Sequence, residues 1–386
     1  MDFELNEDQR AFQDTARQFA QDVMAPDAAQ WDATQFFPKD VLRQAGELGF
    51  MGLYTPESEG GIDLPRLDSA LILEELAAAC PSTAAYISIH NMALSMVARY
   101  GSEEVRRAFC PGLTAGEQLA SYCLTEPNAG SDAGNLKTRA VRDGEVYRLT
   151  GSKAFISGAG DSDVLVVMAR TGGDGPKGIS AFVVPADASG ISYGKKEEKM
   201  GWNSQPTRAI NFDEVEVPVA NRLGDEGQGF AIAMEGLDGG RINIATCSIG
   251  AAQACLQFAV SHVSERQQFG QRIADFQNTQ FKLADMQTEL IAARQMVRLA
   301  AFKLDTNHPE KTAYCAMAKR FATDVGFQVC NEALQLHGGY GYIREYPVER
   351  FLRDSRVHQI LEGTNEIMRV ILSRRILIEG MTEILR

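Results

Sequence analysis

The stretch HQILEGTNEI, residues 358–367, sets a single carboxylate, Glu362, directly after Ile360 and Leu361 and directly before Gly363 and Thr364. As an ordinary glutamate at a surface turn it would do no chemistry. In a dry pocket it would be a strong base. A free Glu titrates at about 4.3. Loss of water to a ligand and to neighbours such as Ile360 and Leu361 would lift it towards ~6–7, where general bases work best. Gly363 would let backbone and ligand come close.

Other stretches could hold a ligand for such a base. In YCLTEPNAGSD (122–132), Pro127 and Gly130 shape a loop while backbone N–H groups, Thr125 and Ser131 face outwards, which suits a heterocycle or a phosphate. An Asx or Ser turn would look the same. In GSKAFISGAG (151–160), Phe155 and Ser157 are two apart and would share one strand face, an aromatic to stack and a hydroxyl to bond; a strand end with a buried Phe is the plainer reading. LDGGRINIA carries Asp238 and Arg241, ERQQFG carries Arg266 and Phe269, and QLHGGYGY carries Gln335, Gly338 and Gly339. Arg, Gln and paired Gly suit a pyrophosphate, though each alone could be a salt bridge or a turn. Gly173, Gly175 and Gly178 spell a formal dinucleotide fingerprint, but Pro176 and the β run ISAFVV follow where a helix is required. A hairpin loop is expected there.

These groups must be positioned by three zones of different periodicity. From about 5 to 118 the pattern is helical: Asn6 and Gln9 form a capping-box pair, Phe12, Ala16, Phe19 and Val23 follow at steps of three and four, and further apolar helical runs occupy 38–50, 66–80, 83–100 and 102–114. From about 120 to 218 short runs rich in Val, Ile and Phe are separated by turns, including Asp143-Gly144, and predict an antiparallel barrel or sandwich. After 226, long helices return. Leu283, Met286, Leu290, Ala293, Val297, Ala300 and Leu304 make a packing seam, and several such helices in succession suggest a four-helix bundle. The expected class is α+β and multidomain, divided at 1–119, 120–225 and 226–386.

The chain has 386 residues and a formal net charge of −13, which disfavours nucleic acid and anionic membranes. No 18-residue apolar run free of charge is seen, so no membrane span is expected. The opening MDFELNEDQR has neither a basic n-region with an apolar block nor an Arg-rich leader. The expectation is a cytoplasmic protein or the mature form of an organelle protein. Seven cysteines without a CxxC spacing read as buried thiols in a reducing compartment, and five scattered histidines give no metal site.

In this order, YCLTEPNAGSD, KAFISGAG, ERQQFG, QLHGGYGY and RDSRVHQILEGTNEI resemble the acyl-CoA dehydrogenase family across essentially the whole chain. YISIHNMA, GWNSQPTR, NRLGDEGQGF and GGRINIA look most like its members that act on a short branched-chain acyl-CoA in valine breakdown. The resemblance implies a helical domain, a β-barrel-like domain and a four-helix bundle. It also implies one FAD per subunit, usually a homotetramer, and electron delivery to an electron-transferring flavoprotein. By that resemblance Tyr122, Cys123, Leu124, Thr125, Gly130 and Ser131, with Phe155, Ile156 and Ser157, would hold the flavin. Many relatives have Trp where Phe155 stands and Thr where Ser157 stands; both changes keep the stacking face and the hydroxyl. Arg266, Phe269, Phe276, Gln277, Gln335, Leu336, His337, Gly338 and Gly339 would contact the FAD adenine and pyrophosphate, some from a neighbouring subunit, with Thr364, Asn365 and Glu366 completing that site. Ser131, Asp238, Gly239, Gly240, Arg241, Gly363 and Arg374 would touch the CoA thioester.

The reaction so implied is α,β-dehydrogenation of an acyl-CoA. Glu362 would take the α-proton, while its backbone N–H and a flavin ribityl hydroxyl polarise the thioester oxygen. Some relatives place the base on the helix matching LDGGR, where this chain has Gly240. Alternatives are a straight-chain or 2-methylbutyryl-CoA enzyme, an acyl-CoA oxidase, whose chains are usually much longer, and a DNA-binding flavoprotein of the same fold, which the net charge disfavours. A glutaryl-CoA enzyme is disfavoured because AAYISIHNMALSMV carries no Arg for a second carboxylate.

Overall fold

The computed structural model describes residues 4–385. Helices α1 (Glu7–Phe19), α2 (Ala28–Thr34), α3 (Lys39–Glu47), α4 (Arg66–Ala79), α5 (Pro81–Tyr100) and α6 (Glu103–Thr114) come first. The Asn6–Gln9 capping box is present: Asn6 Oδ1 accepts the Gln9 N–H at 2.8 Å and Gln9 Oε1 accepts the Asn6 N–H at 3.2 Å. Two otherwise orphaned donors of the first turn are thereby satisfied. α4 and α5 are apolar on nearly every face because they lie between the other early helices and the C-terminal ones.

The middle zone holds β1 (Ala120–Cys123), β2 (Arg139–Asp143), β3 (Val146–Ser157), β4 (Val164–Arg170), β5 (Ile179–Pro185), β6 (Ile191–Tyr193), β7 (Thr207–Pro218) and β8 (Arg222–Leu223). They form one sheet in the order β6-β7-β3-β2-β4-β5-β8, with β1 beside β4. The β2–β3 hairpin turns at Gly144–Glu145, one residue later than its sequence signal, since Asp143 already pairs with Val146. Gly144 takes φ 62 there, which glycine adopts freely. The Gly173–Gly178 stretch links antiparallel β4 and β5, as expected of a hairpin loop. The sheet departs from the antiparallel expectation at β4, to which β1 runs parallel along its length and β2 at Arg139–Arg170. A parallel neighbour needs a crossover, and the β2–β3 hairpin supplies it. β4 is buried on both faces. Val164, Val166 and Met168 meet α5 and the start of the next helix, while Leu165, Val167 and Ala169 fill the sheet's own interior. That contact fixes β1 against the helices that carry the site.

The last zone contains α7 (Gly229–Glu265), the short pair β9 (Gln267–Gln268) and β10 (Gln271–Arg272), then α8 (Gln277–Asp305), α9 (Lys311–His337), α10 (Val348–Arg356), α11 (Asn365–Ile376) and α12 (Met381–Ile384). Met286, Leu290, Ala293, Val297 and Ala300 of the expected seam are buried, with Leu283 and Leu304 packed at its ends. Three helices are long. α10 adds Val348 and Phe351 to their core and α11 lies on α9. α7 is long and apolar enough to cross a membrane by length and composition, but 72% of its most apolar stretch is buried inside the protein, as in a core helix.

Candidate active site

Glu362 follows a short turn after α10 and takes φ 55; Gly363 takes φ 84. A non-glycine residue in this region costs on the order of 1–3 kcal/mol and persists only where its surroundings enforce it. Here α9 and α11 do so. Thr364 caps α11, its Oγ1 accepting the Ile367 N–H at 3.3 Å. Lys319 of α9 donates to the Gly363 carbonyl at 2.8 Å and to Asn365 Oδ1 at 3.0 Å. Asn365 Nδ2 donates to Asp324 at 2.7 Å and Thr323 at 2.9 Å. The side chain of Asn365 is thus turned into the protein and is not available to a cofactor, contrary to expectation; Glu366 is exposed.

The Glu362 carboxylate points at α7. A Cβ on Gly240 would lie 2.7 Å from Oε2 and 3.0 Å from Met92 Sδ of α5, so a glycine is what admits the carboxylate. Oε2 is buried with no hydrogen-bond partner among the described residues. Burial pushes the Glu362 carboxyl up to about 7, with Arg241 and Lys319 pulling it the other way. The desolvating wall differs from the expected one. Ile360 is 50% exposed and shields nothing. Leu361 packs with Ala85, Trp202 and Ile244, behind the turn. Across the site Tyr122 of β1 has a buried hydroxyl without a partner among the described residues, and burial together with the nearby Glu362 charge keeps its phenol well above the usual range.

Gly240→Val should place a branched side chain where the carboxylate lies. We expect a folded flavoprotein whose kcat/KM is down about 100-fold, the cost of displacing a reacting group by an ångström. Wild-type kinetics in that variant would contradict the placement.

The remaining expected thioester contacts divide. Arg241 is buried and paired with Asp238 at 2.6 Å, and Asp238 also accepts Thr312 Oγ1 at 2.5 Å. Arg241 keeps a buried Nε without a partner among the described residues. Gly239 faces away from Glu362: a Cβ there would meet the Arg66 guanidinium, which lies over the Tyr54 ring at 3.3 Å. Arg374 is exposed near the end of α11, about 13 Å along the helix from Asn365, and does not reach the Glu362 turn.

The loop after β1 is built on a buried ion pair. Lys153 of β3, fully buried, donates to Glu126 at 2.8 Å and to the Leu124 carbonyl at 3.1 Å. Glu126 also accepts the Lys137 N–H at 2.6 Å and the Thr138 N–H at 2.9 Å. Burial raises the Glu126 carboxyl, but Lys153 and these donors outweigh it and hold it below the usual range. Thr125 is half-buried, while Gly130 and Ser131 are exposed at the loop tip. Cys123 and Leu124 turn their side chains into the core, so only their backbone can meet a ligand. Phe155 and Ser157 do lie on the accessible side with Ile156 buried between them, but not through regular alternation. The β3–β7 register shifts between Lys153 and Ile156, and Phe155 sits in the bulge with φ 58, its ring 69% exposed rather than buried.

A second cluster lies at the far ends of α7 and α9. A groove of about 410 Å³ is lined by Arg266, Gln335, Leu336, His337, Gly338 and Gly339, all expected, and by His262, Gln268, Ile273, Tyr340 and Ile343. A Cβ at Gly338 or Gly339 would meet nothing within 4 Å. Phe269, 93% exposed, stands at the tip of the β9–β10 hairpin, its ring 6.3 Å from that of Phe276, which caps α8 just before its first residue, Gln277. The His337 ring is buried, hydrogen-bonded to the Ala333 carbonyl at 2.7 Å and stacked on His262 at 4.5 Å. His262 precedes Arg266 by four residues on α7, a spacing that could have flagged it. Gly240 and Arg266 are roughly 40 Å apart along α7, so this groove and the Glu362 turn are separate on one chain.

The residues present fit a flavin dinucleotide. A flat exposed ring at Phe155, a Tyr122 hydroxyl with no partner among the described residues, an open glycine pair and the Arg266 guanidinium over the Tyr340 ring are what an isoalloxazine, an adenine and a pyrophosphate need. The chain matches the acyl-CoA dehydrogenase N-terminal domain at 6–117, the middle domain at 121–215 and the C-terminal domain at 227–377, and it belongs to the acyl-CoA dehydrogenase family. It is 56% identical over 373 residues to the mitochondrial isobutyryl-CoA dehydrogenase of Dictyostelium discoideum, covering 96% of this chain and 90% of that protein. Butyryl-CoA dehydrogenase from Megasphaera elsdenii superposes with a TM-score of 0.95 at 39% identity, over 98% of this chain and 100% of that one. A solved chain from work on the electron transferring flavoprotein of Acidaminococcus fermentans gives a TM-score of 0.95 at 40% identity, over 98% of this chain and 100% of that one.

Proposed function

We propose that this FAD-dependent enzyme oxidises isobutyryl-CoA to methacrylyl-CoA in valine breakdown and passes the electrons to an electron-transferring flavoprotein. The observation that carries the chemistry is the Glu362 carboxylate against Gly240, whose buried Oε2 has no hydrogen-bond partner among the described residues. The branched substrate and the pathway rest on similarity to the Dictyostelium enzyme, and the electron acceptor on the Acidaminococcus chain.

FAD supplies the two-electron acceptor for the β-hydrogen. The chain's own residues do the rest. Glu362 takes the α-proton and becomes neutral, and the C–H electron pair moves into the new double bond. The Glu362 N–H has no acceptor among the described residues, which leaves it free to donate to the thioester oxygen as charge develops there. Met92 and Gly240 exclude water from the carboxylate. Tyr122, the backbone of Cys123 and Leu124, Thr125, Ser131, Phe155 and Ser157 hold the flavin. Arg266, Phe269, Phe276 and Gln335 to Gly339 hold an adenine and pyrophosphate from a neighbouring copy, which the separation of groove and turn favours; a homotetramer is the assembly we propose. The domains divide at 119/120 and 225/226, between α6 and β1 and between β8 and α7. Seven unpaired, buried cysteines suit a reducing compartment, the cytoplasm or a mitochondrial matrix.

Anaerobic flavin reduction with a panel of acyl-CoAs tests the substrate. Isobutyryl-CoA should react fastest. Equal rates with butyryl-CoA would defeat the branched-chain assignment and leave the family intact; oxygen uptake without a flavoprotein acceptor would instead point to an oxidase.

A further inference from the structure

Lys319, in the middle of α9, is fully buried, and its ammonium donates to the Gly363 carbonyl and to Asn365 Oδ1. Neither partner is an anion. A buried ammonium with no carboxylate among its hydrogen-bond partners is costly, and an apolar side chain of the same length would fill the space without that cost. Packing alone therefore does not account for a lysine here. Its two bonds straddle Thr364 and grip the chain on both sides of the start of α11, directly behind the left-handed Glu362.

We propose that Lys319 is a positioning residue: its ammonium, through the Gly363 carbonyl and the Asn365 side chain, holds the turn that aims Glu362 at Gly240, and its charge favours the ionised carboxylate. This rests on Glu362 being the base. The groups around the pair are few. Arg241, tied to Asp238, faces Glu362 from α7, and Tyr122 faces it from β1. Asp324 on α9 and Glu366 on α11 act on Lys319, as does Glu362 itself. Asp324 is already bonded to Asn365 and Gln359. His358 is buried and pushed down to about 3 by burial and by Lys319, so it stays neutral. Burial pushes the Lys319 ammonium down to about 8, so it remains charged over the range in which Glu362 ionises.

The test is the pH dependence of anaerobic flavin reduction by isobutyryl-CoA in holoenzyme of the wild type, Lys319→Met and Asn365→Asp, with Glu362→Gln as reference. Lys319→Met should keep FAD and bind substrate normally. Its limiting rate should fall roughly 10- to 100-fold. Its acid limb should move up by about one pH unit, because losing a nearby cation favours the neutral carboxyl. Asn365→Asp is nearly isosteric and offsets the Lys319 charge, so its acid limb should also move up. If Lys319→Met yields no folded holoenzyme, Asn365→Asp decides by the same shift. Lower stability with an unmoved acid limb in both variants would overturn the inference. An active Glu362→Gln would show that the base itself is misassigned and would take the inference with it; an inactive Glu362→Gln with unmoved limbs would sink the role of Lys319 alone.

Discussion

Glu362→Gln should lower acyl-CoA-dependent flavin reduction about 1,000- to 10,000-fold while FAD and thioester still bind. The amide keeps the shape of the side chain and its fit against Gly240, but it cannot accept the α-proton. The same variant should be more stable than the wild type. A carboxyl held at about 7 in the fold, against 4.5 in the unfolded chain, binds its proton more tightly when folded. Its stabilising effect is therefore present below about pH 4.5 and is lost as pH rises to about 7. Above that, the buried charge costs up to about 3 kcal/mol, which the amide removes. Urea unfolding at pH 8 and pH 4 reads this directly: the variant should gain at pH 8 and little at pH 4. A variant that is inactive but destabilised at pH 8 would mean that Glu362 is a structural carboxylate.

Glu126→Ala should do the opposite, damaging the fold first. Removing one partner of a buried pair leaves the Lys153 ammonium, fully enclosed, without its carboxylate, and strips the Lys137 and Thr138 N–H groups of their acceptor. Losses of this kind cost about 3–5 kcal/mol. The loss falls on the loop proposed to hold the flavin, since Ala154 N–H to Thr125 carbonyl, at 2.9 Å, is the next tie between that loop and β3. We expect purified protein largely free of FAD, with an earlier unfolding transition. Full flavin content and unchanged stability would show that the pair is not what shapes the loop.

Much of this was legible in the sequence because it is local. The capping box at Asn6, the seam from Leu283 to Leu304 and the rejection of the Gly173 fingerprint depend only on neighbours along the chain, and each stands in the fold. The pairing of Glu362 with Gly240 came from family likeness, and their contact could not be read from either segment. What failed needed distant partners. Ile360 looked like a wall, but it ends the short turn after α10 and is half exposed there. Asn365 and Cys123 were expected as ligand contacts from the family resemblance, but their side chains serve α9 and the sheet core. Lys319 carried no local signal at all, since it looks like a surface lysine of an amphipathic helix, and Met92 was marked only as part of the stretch AAYISIHNMALSMV. The parallel strand β1 was likewise hidden, since its partner lies across a hairpin.

Proton abstraction can be measured apart from oxidation. An acyl-CoA with sulfur in place of the β-carbon has an α-proton to lose but no β-hydrogen to give up. In D2O its α-hydrogens should exchange rapidly in the wild-type holoenzyme, with half-maximal rate near pH 7, and at least about 1,000-fold more slowly in Glu362→Gln. Exchange in Glu362→Gln at the wild-type rate would show that another group takes the proton.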